Sequence, residues 1–325
     1  MHSIIFLIIL QSIVGMLNKI VPYFFFFLLY CTQLLAQDAT DLNITVGKNV
    51  ITLSDVVVNN RLNVPSFINR IKNDTSFYKA FRNLHFLDFS AINDIRMMGK
   101  NGASLATCLS KTKQIAENNC RRMEVLEEQI TGDFYDEKHN YNYYTAQMYA
   151  SLFFTVGKIC GETNVVGGNE FNLDNKSGIE KHKEQLKMLF FNPGKKIKGL
   201  PFMSGKTAIY DEEMADAYDM EIDMDDYNKT SCYLLKQKVK PGMESKVVVD
   251  EMITWFDDKT FEVVARKYSL SYDAALYDFK VQMEVQMTHV GKLLVPSMLR
   301  YNGNWKAVFK KRERGVFTAT LFDFK

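Results

Sequence analysis

The sequence predicts an α+β fold: a large curved antiparallel β-sheet, a half-open barrel, covered by helices on one face. Two observations predict it. Helix-period segments are concentrated in the first part of the chain, whereas the part after Cys232 alternates apolar and polar residues between short turns. Helices followed by strands, rather than alternating with them, are typical of α+β domains. A chain of 325 residues is also long enough to bury such a core.

The first 36 residues form a leader that differs from the rest. Lys19 is their only Lys, Arg, Asp or Glu, and it separates two apolar runs, Ile4–Met16 and Ile20–Ala36. A basic residue, an apolar run and a small residue, in that order, are typical of a secretory signal. We predict a signal peptide over residues 1–36, with Met16 as an alternative start and an uncleaved anchor as the alternative interpretation. Residues 37–325 are predicted to form one α+β domain, a helical N-terminal part followed by an antiparallel meander.

Helices are predicted first, over Leu53–Leu84. Ser54 is expected to cap a short helix over Asp55–Arg61, and Pro65 suits the first turn of the next helix. From His85 the period becomes that of strands, with two strands joined by a turn at Lys100-Asn101-Gly102.

The middle of the chain is less regular. Met123–Thr131 and Tyr141–Val156 are apolar segments, and the pattern of the second fits either a helix or a strand. Ser177–Phe191 has helical periodicity and is followed by the helix breakers Asn192-Pro193-Gly194. An acidic stretch, Asp211–Asp226, ends in alternating acidic and apolar residues. It is predicted to be a solvated edge strand, with a cation site as the alternative interpretation.

The last third predicts a meander. Phe279–Met287 has the clearest period-two alternation, and turns are predicted at Asp257–Thr260 and Asn302-Gly303-Asn304. Such strands form either an open curved sheet or a barrel.

Four cysteines remain after the leader. An even number in an exported chain permits disulfides, and Cys108–Cys120 is the favoured bridge; four buried thiols are the alternative. The four are Cys108, Cys120, Cys160 and Cys232.

Charge and motifs exclude several functions. With 40 basic against 38 acidic residues, non-specific nucleic-acid binding is not expected. The chain has no CxxC, HExxH, EF-hand or GxSxG pattern. We therefore predict no metal, no cofactor and no enzymatic activity.

The strands carry more large apolar residues than one sheet face requires. A concave sheet covered by helices can use this surplus to line a pocket for acyl chains, although a filled two-layer core would use the same residues. The residues predicted to line such a cavity are Trp255, Phe279, Val281, Met283, Val285, Met287, Trp305 and Phe309.

The stretch from Tyr210 to Phe324 resembles the LolA, LolB and LppX-like lipoprotein carriers of the outer membrane. The resemblance is carried by Thr254–Val263, a Trp-containing strand, turn and strand, and by Val295-Pro296. It implies a half-open antiparallel sheet whose helices cover an apolar cavity for lipid chains. Gly132–Pro201 has no counterpart in that family, and none of its gating residues can be placed here.

The whole chain also resembles uncharacterised exported proteins of Bacteroidota. The function predicted is therefore that of a periplasmic or outer-membrane-associated envelope protein, peripheral to the membrane, that binds a lipid or a lipoprotein acyl chain. The alternatives are an envelope scaffold with a filled core, or a hydrolase whose catalytic residues converge only in the folded chain.

Overall fold

A computed structural model describes residues 42–60, 62–166, 188–197, 203, 205–273, 277–307 and 311–325. Within these ranges the strands are β1 (Leu42–Val46), β2 (Asn49–Leu53), β3 (Phe89–Met98), β4 (Ser104–Glu117), β5 (Cys120–Thr131), β6 (Lys158–Cys160), β7 (Tyr218–Tyr227), β8 (Thr230–Val239), β9 (Val249–Asp257), β10 (Val263–Asp273), β11 (Tyr277–Val290), β12 (Leu293–Ala307) and β13 (Glu313–Phe322). The α-helices are α1 (Asp55–Asn59), α2 (Val64–Asn73), α3 (Ser76–Asn83) and α4 (Tyr144–Phe153). Single 3₁₀ turns cover Leu84–Phe86, Ala215–Ala217 and Glu244–Lys246.

All thirteen described strands belong to one sheet, in the order β1-β2-β7-β8-β9-β10-β11-β12-β13-β3-β4-β5-β6. Neighbouring strands are antiparallel, except that β2 pairs with β7 in parallel. The sheet does not close, because β1 and β6 lie at its two ends. The predicted α+β fold with a large antiparallel sheet is therefore confirmed. Leu42–Lys325 form one compact unit.

The helices pack on one face of the sheet, which we call the covered face; the other is the outer face. In α2, Phe67 and Ile71 lie one turn apart and are buried, because their spacing puts both on one side of the helix. Phe67 packs edge-on against Phe256 of β9, with ring centroids 5.3 Å apart. In α4, Tyr149 stacks on Phe317 of β13 at 5.0 Å. Described residues include no helix that is long and apolar enough to span a membrane.

The start of the helical part differs from the prediction in one detail. Ser54 precedes α1, but its side chain makes no capping hydrogen bond. Its backbone N–H instead donates to the carbonyl of Ile222 in β7, at 3.1 Å, which anchors the helix to the sheet. Pro65 lies in the first turn of α2 as expected. Of the predicted helix Ser177–Phe191, only residues 188–191 are described, and these are helical.

The ambiguous segment Tyr141–Val156 contains helix α4, and a distant residue explains why. The Glu313 carboxylate on β13 accepts hydrogen bonds from the backbone N–H groups of Tyr144 and Thr145, at 3.0 and 2.7 Å. A carboxylate at a helix N-terminus satisfies donors that have no partner in the helix and favours the helix dipole. This cap comes from far along the chain, so local pattern cannot reveal it.

The turn predicted at Asn302-Gly303-Asn304 is wrong, because β12 runs through it without interruption. Gly303 lies in the strand for a packing reason. A Cβ atom there would lie only 1.8 Å from the Tyr301 hydroxyl oxygen. That hydroxyl group folds back over Gly303 and accepts a hydrogen bond from Trp305 Nε1. Glycine here makes room for a side chain rather than for a bend.

The acidic segment is a strand, β7, but the prediction that it forms an edge is also wrong. β7 lies between β8 and β2, and Met220, Glu221 and Ile222 pair with β2. Tyr218, Met220 and Ile222 of β7 point to the covered face and are buried, whereas Asp219 is exposed. Pairing with a strand from the start of the chain turns an expected edge into the interior of the sheet.

Candidate ligand-binding cavity

A cavity of about 360 Å³ lies on the covered face, between helices α3 and α4 and strands β3, β4, β5, β12 and β13. Small-molecule sites typically measure about 300–1,000 Å³, so this volume can hold a ligand. The cavity has an aromatic roof, an aliphatic wall and a polar floor, and one end carries charged side chains.

Aromatic side chains form the roof. Phe81 of α3 stacks on Phe191 with ring centroids 4.3 Å apart, and Phe153 of α4 packs edge-on against Phe191 at 5.7 Å. Below them Ala319 and Leu321 of β13 face the cavity, because alternate residues of a strand point to the same face. These rings and aliphatic groups make one end of the cavity apolar.

The floor is polar although it is buried. Asn93 of β3 and Thr112 and Gln114 of β4 are each 2% exposed and line the cavity. Asn93 Nδ2 donates to Thr112 Oγ1 at 3.1 Å, and Gln114 Nε2 donates to the Leu84 carbonyl at 2.6 Å. The floor therefore ties β4 to the 3₁₀ turn at the end of α3, and its polar groups are paired without a ligand.

An ion pair closes the polar end. Arg121 of β5 donates to both carboxylate oxygens of Glu162, at 2.5 and 3.2 Å. Arg121 Nη1 also donates to the Thr155 hydroxyl, and His85 Nδ1 lies 3.2 Å from Glu162. Burial alone would raise the pKa of Glu162, but the hydrogen bonds and charges of His85 and Arg121 outweigh it and lower the pKa to about 2. Glu162 is therefore a carboxylate at neutral pH.

A disulfide holds this end in place, and it is not the predicted one. Cys120 is bonded to Cys160, whereas Cys108 and Cys232 are buried free thiols. Cys120 and Cys160 face each other across β5 and β6, with Cα atoms 4.0 Å apart. Cys108 instead lies opposite Ile130, so it cannot reach Cys120 within the hairpin. Burial and the nearby Glu128 carboxylate raise the pKa of Cys108 to about 12, so this thiol is inert.

The residues predicted to line a cavity occupy other places. Five are buried in the main core of the covered face, where Phe279 stacks on Trp305 with centroids 4.6 Å apart. Met287 is partly buried at the edge of this core, and Phe309 lies outside the described residues. None of the eight lines the cavity described above. The five are Phe279, Val281, Met283, Val285 and Trp305.

Trp255 lies on the outer face, away from the helices. It packs with Cys232, Leu234 and Ala265 in a separate small cluster, and its indole Nε1 donates to Asp225 at 2.8 Å. Strand alternation explains the assignment, since its neighbour Phe256 points to the covered face.

Sequence reasoning missed the residues that do line the cavity. Their signal was present: Asn93, Thr112 and Gln114 occupy inward positions of alternating strands, where polar side chains are unusual. The described residues contain no group of three His, Cys, Asp or Glu side chains that could hold a metal ion.

No protein-family model matches the sequence, and no curated protein is significantly similar to it. Among solved structures, the chain is similar to a DUF1329 family protein from Desulfovibrio piger, with 11% identity, coverage of 77% of this chain and 93% of that one, and a TM-score of 0.24. It is also similar to a Vibrio parahaemolyticus domain named for outer-membrane lipoprotein sorting, with 11% identity, coverage of 75% and 88%, and a TM-score of 0.26. The second is the class of protein that the sequence resembles. At these TM-scores neither similarity carries a functional argument.

Proposed function

We propose that this protein is a non-enzymatic protein of the cell envelope that holds the acyl chain of a lipid or of an acylated protein. The observation that carries the proposal is the cavity of about 360 Å³ beneath Phe81, Phe153 and Phe191. The rings of the roof and the aliphatic groups of β13 favour contact with a hydrocarbon chain at the apolar end of the cavity.

The two ends of the cavity suggest how the ligand is oriented. Its hydrocarbon would lie between the phenylalanine roof and Leu321, with its polar end towards Arg121. Glu162 neutralises the charge of Arg121, whereas Arg82, which also lines the cavity, donates to the carbonyl of Thr163. These donors suit the oxygen atoms at the polar end of an acyl chain.

Neither alternative function accounts for this site. An envelope scaffold would have a filled core. That description fits the region around Phe279 and Trp305, but it does not explain the cavity. A hydrolase needs a nucleophile next to its base. The group beside His85 Nδ1 is the Glu162 carboxylate, which is also paired with Arg121.

The leader supports export as part of the proposal. Protein recovered from the envelope of a cell that expresses the whole chain is expected to begin near Gln37. Retention of Lys19, found by N-terminal sequencing, would contradict cleavage and favour an anchor.

Lipid extraction tests the binding function. Protein purified from the envelope without detergent, then extracted with organic solvent, should release an acyl-containing molecule at close to one per chain by mass spectrometry. Ala319→Phe should lower this yield at least tenfold, because the ring fills the cavity. Thr320→Phe, at the exposed neighbouring position, is the matched control and should keep it. Extraction of no stoichiometric lipid, or equal yields from both variants, would refute the proposal.

A further inference from the structure

A second buried polar cluster lies on the covered face, at β8–β10, and its centre is Arg266. Arg266 of β10 is 6% exposed, and its Nε donates to the Thr254 hydroxyl at 3.0 Å. Its guanidinium carbon lies 4.2 Å from the centroid of the Phe77 ring. Among the described residues, Thr254 is its hydrogen-bond partner, and the carboxylate of Asp74 acts on its charge.

In this environment most N–H donors of Arg266 have no acceptor among the described residues. A guanidinium carries five N–H donors, and a buried charge without a counter-charge is costly. Stacking on Phe77 recovers only part of that cost. Of the Arg266 donors, Nε has an acceptor among the described residues, and the negative charge that acts on the guanidinium is that of Asp74.

Gln237 of β8 has the same deficit. It is fully buried, and its Oε1 accepts a hydrogen bond from the Tyr210 hydroxyl at 3.0 Å. Its Nε2 has no hydrogen-bond partner among the described side chains and backbone. Buried amide donors are nearly always paired, so an unpaired one marks a missing acceptor.

A second cation lies beside this pair. Lys195 Nζ is 5.7 Å from the centroid of the Tyr210 ring and donates to the carbonyls of Ile71 and Lys72. Burial lowers the pKa of Lys195 to about 8, and the positive charge of Arg266 acts in the same direction. The Asp74 carboxylate acts on the charges of both Lys195 and Arg266, but its hydrogen bonds come from the backbone N–H and hydroxyl of Ser76.

We propose that Arg266, Gln237 and Lys195 form an internal binding site for an oxyanion, the phosphate or carboxylate group of a ligand. An oxyanion supplies several acceptor atoms and a negative charge, and it matches the planar fork of arginine. None of the three residues lines the acyl cavity, so this inference does not rest on the proposed function.

The test uses the whole mature protein in chloride buffer after exhaustive dialysis. Inorganic phosphate, acetate and a short-chain phosphatidic acid are added separately at equal ionic strength, and the melting temperature is measured. An anion at about ten times its Kd should raise Tm by about 3 °C. A response to inorganic phosphate or acetate identifies a free anion, and a response to phosphatidic acid alone identifies a lipid headgroup. Ion chromatography of the denatured protein detects an anion that dialysis has not removed.

Two variants and one control locate the response. Arg266→Met should lose it, and Arg300→Met, at an exposed position of β12, should keep it. Gln237→Glu places a carboxylate within the cluster, so it should raise Tm in chloride buffer and abolish the anion response even where Arg266→Met does not fold. The inference is overturned where the wild type neither releases an anion nor responds to one, or where Gln237→Glu responds as fully as the wild type.

Discussion

Two regions of the covered face share one sheet and differ in what fills them. Around β11 and β12, large inward side chains such as Phe279 and Trp305 stack on each other, with ring centroids 4.6 Å apart. Around β3, β4 and β13, the inward residues include Asn93, Thr112 and Ala319, which are smaller or polar and line the cavity below the helices. The two regions of one sheet therefore differ in the size and polarity of their inward residues.

The largest expected loss of stability comes from a substitution in the packed region around Phe279 and Trp305. Phe279→Ala should lower the free energy of unfolding by about 4 kcal/mol, because it leaves a hole in a packed core. Ala319→Leu, in the open region, should change it by less than about 1 kcal/mol, since the added carbons enter existing space. Urea unfolding measures both. Equal losses for the two variants would show that the regions are packed alike.

The disulfide should contribute a similar amount. Cys120 and Cys160 are 40 residues apart, and a bridge over such a loop stabilises by about 4 kcal/mol. Reductant should lower the urea midpoint of the wild type to that of the Cys120→Ser/Cys160→Ser double variant. The double variant is its own control, since reductant should leave its midpoint unchanged. A wild type that is indifferent to complete reduction would show that β6 does not depend on the bond.

The ion pair between Arg121 and Glu162 should contribute about 2 kcal/mol to the free energy of unfolding, and this contribution should depend on pH. The pKa of Glu162 is lowered from 4.5 to about 2, so its contribution is fully present above pH 4.5 and is lost as the pH falls towards 2. Glu162→Gln should therefore be less stable than the wild type at pH 7 and equal to it near pH 2. A difference that is the same at both values would exclude the charge as its cause.

The smallest effect concerns the outer face. Trp255→Phe removes the hydrogen bond to Asp225 and should cost about 1 kcal/mol. Because Trp255 lies on the face opposite the cavity, the yield of extracted lipid should not change. Loss of lipid in this variant would show that the two faces are coupled.

Sequence pattern was sufficient where local rules decide the structure. The alternation of Phe279–Met287 gave β11 and its inward residues correctly, and the turn after Asp257 forms where its carboxylate accepts from the N–H groups of Lys259 and Thr260. Period-two patterning and turn chemistry are properties of a few neighbouring residues, so one sequence contains them.

Pattern failed where distant residues decide. Glu313 caps α4, and Cys160, which follows α4, forms a disulfide with Cys120. Strand β2 pairs with part of β7. Each contact joins residues that are far apart in the sequence. Gly303 was read as a turn because its packing against Tyr301 depends on the side-chain conformation. The cavity is lined both by large rings from the helices and by the polar residues Asn93 and Gln114 of the sheet, and this combination comes from segments far apart in the sequence.

A crystal structure of the protein purified without detergent from a cell that expresses it tests acyl-chain binding most directly. Elongated density is expected in the cavity, running from Phe153 and Leu321 to a polar end near Arg121. A cavity closed by the protein's own side chains, or lipid bound elsewhere while the cavity holds only water, would contradict it.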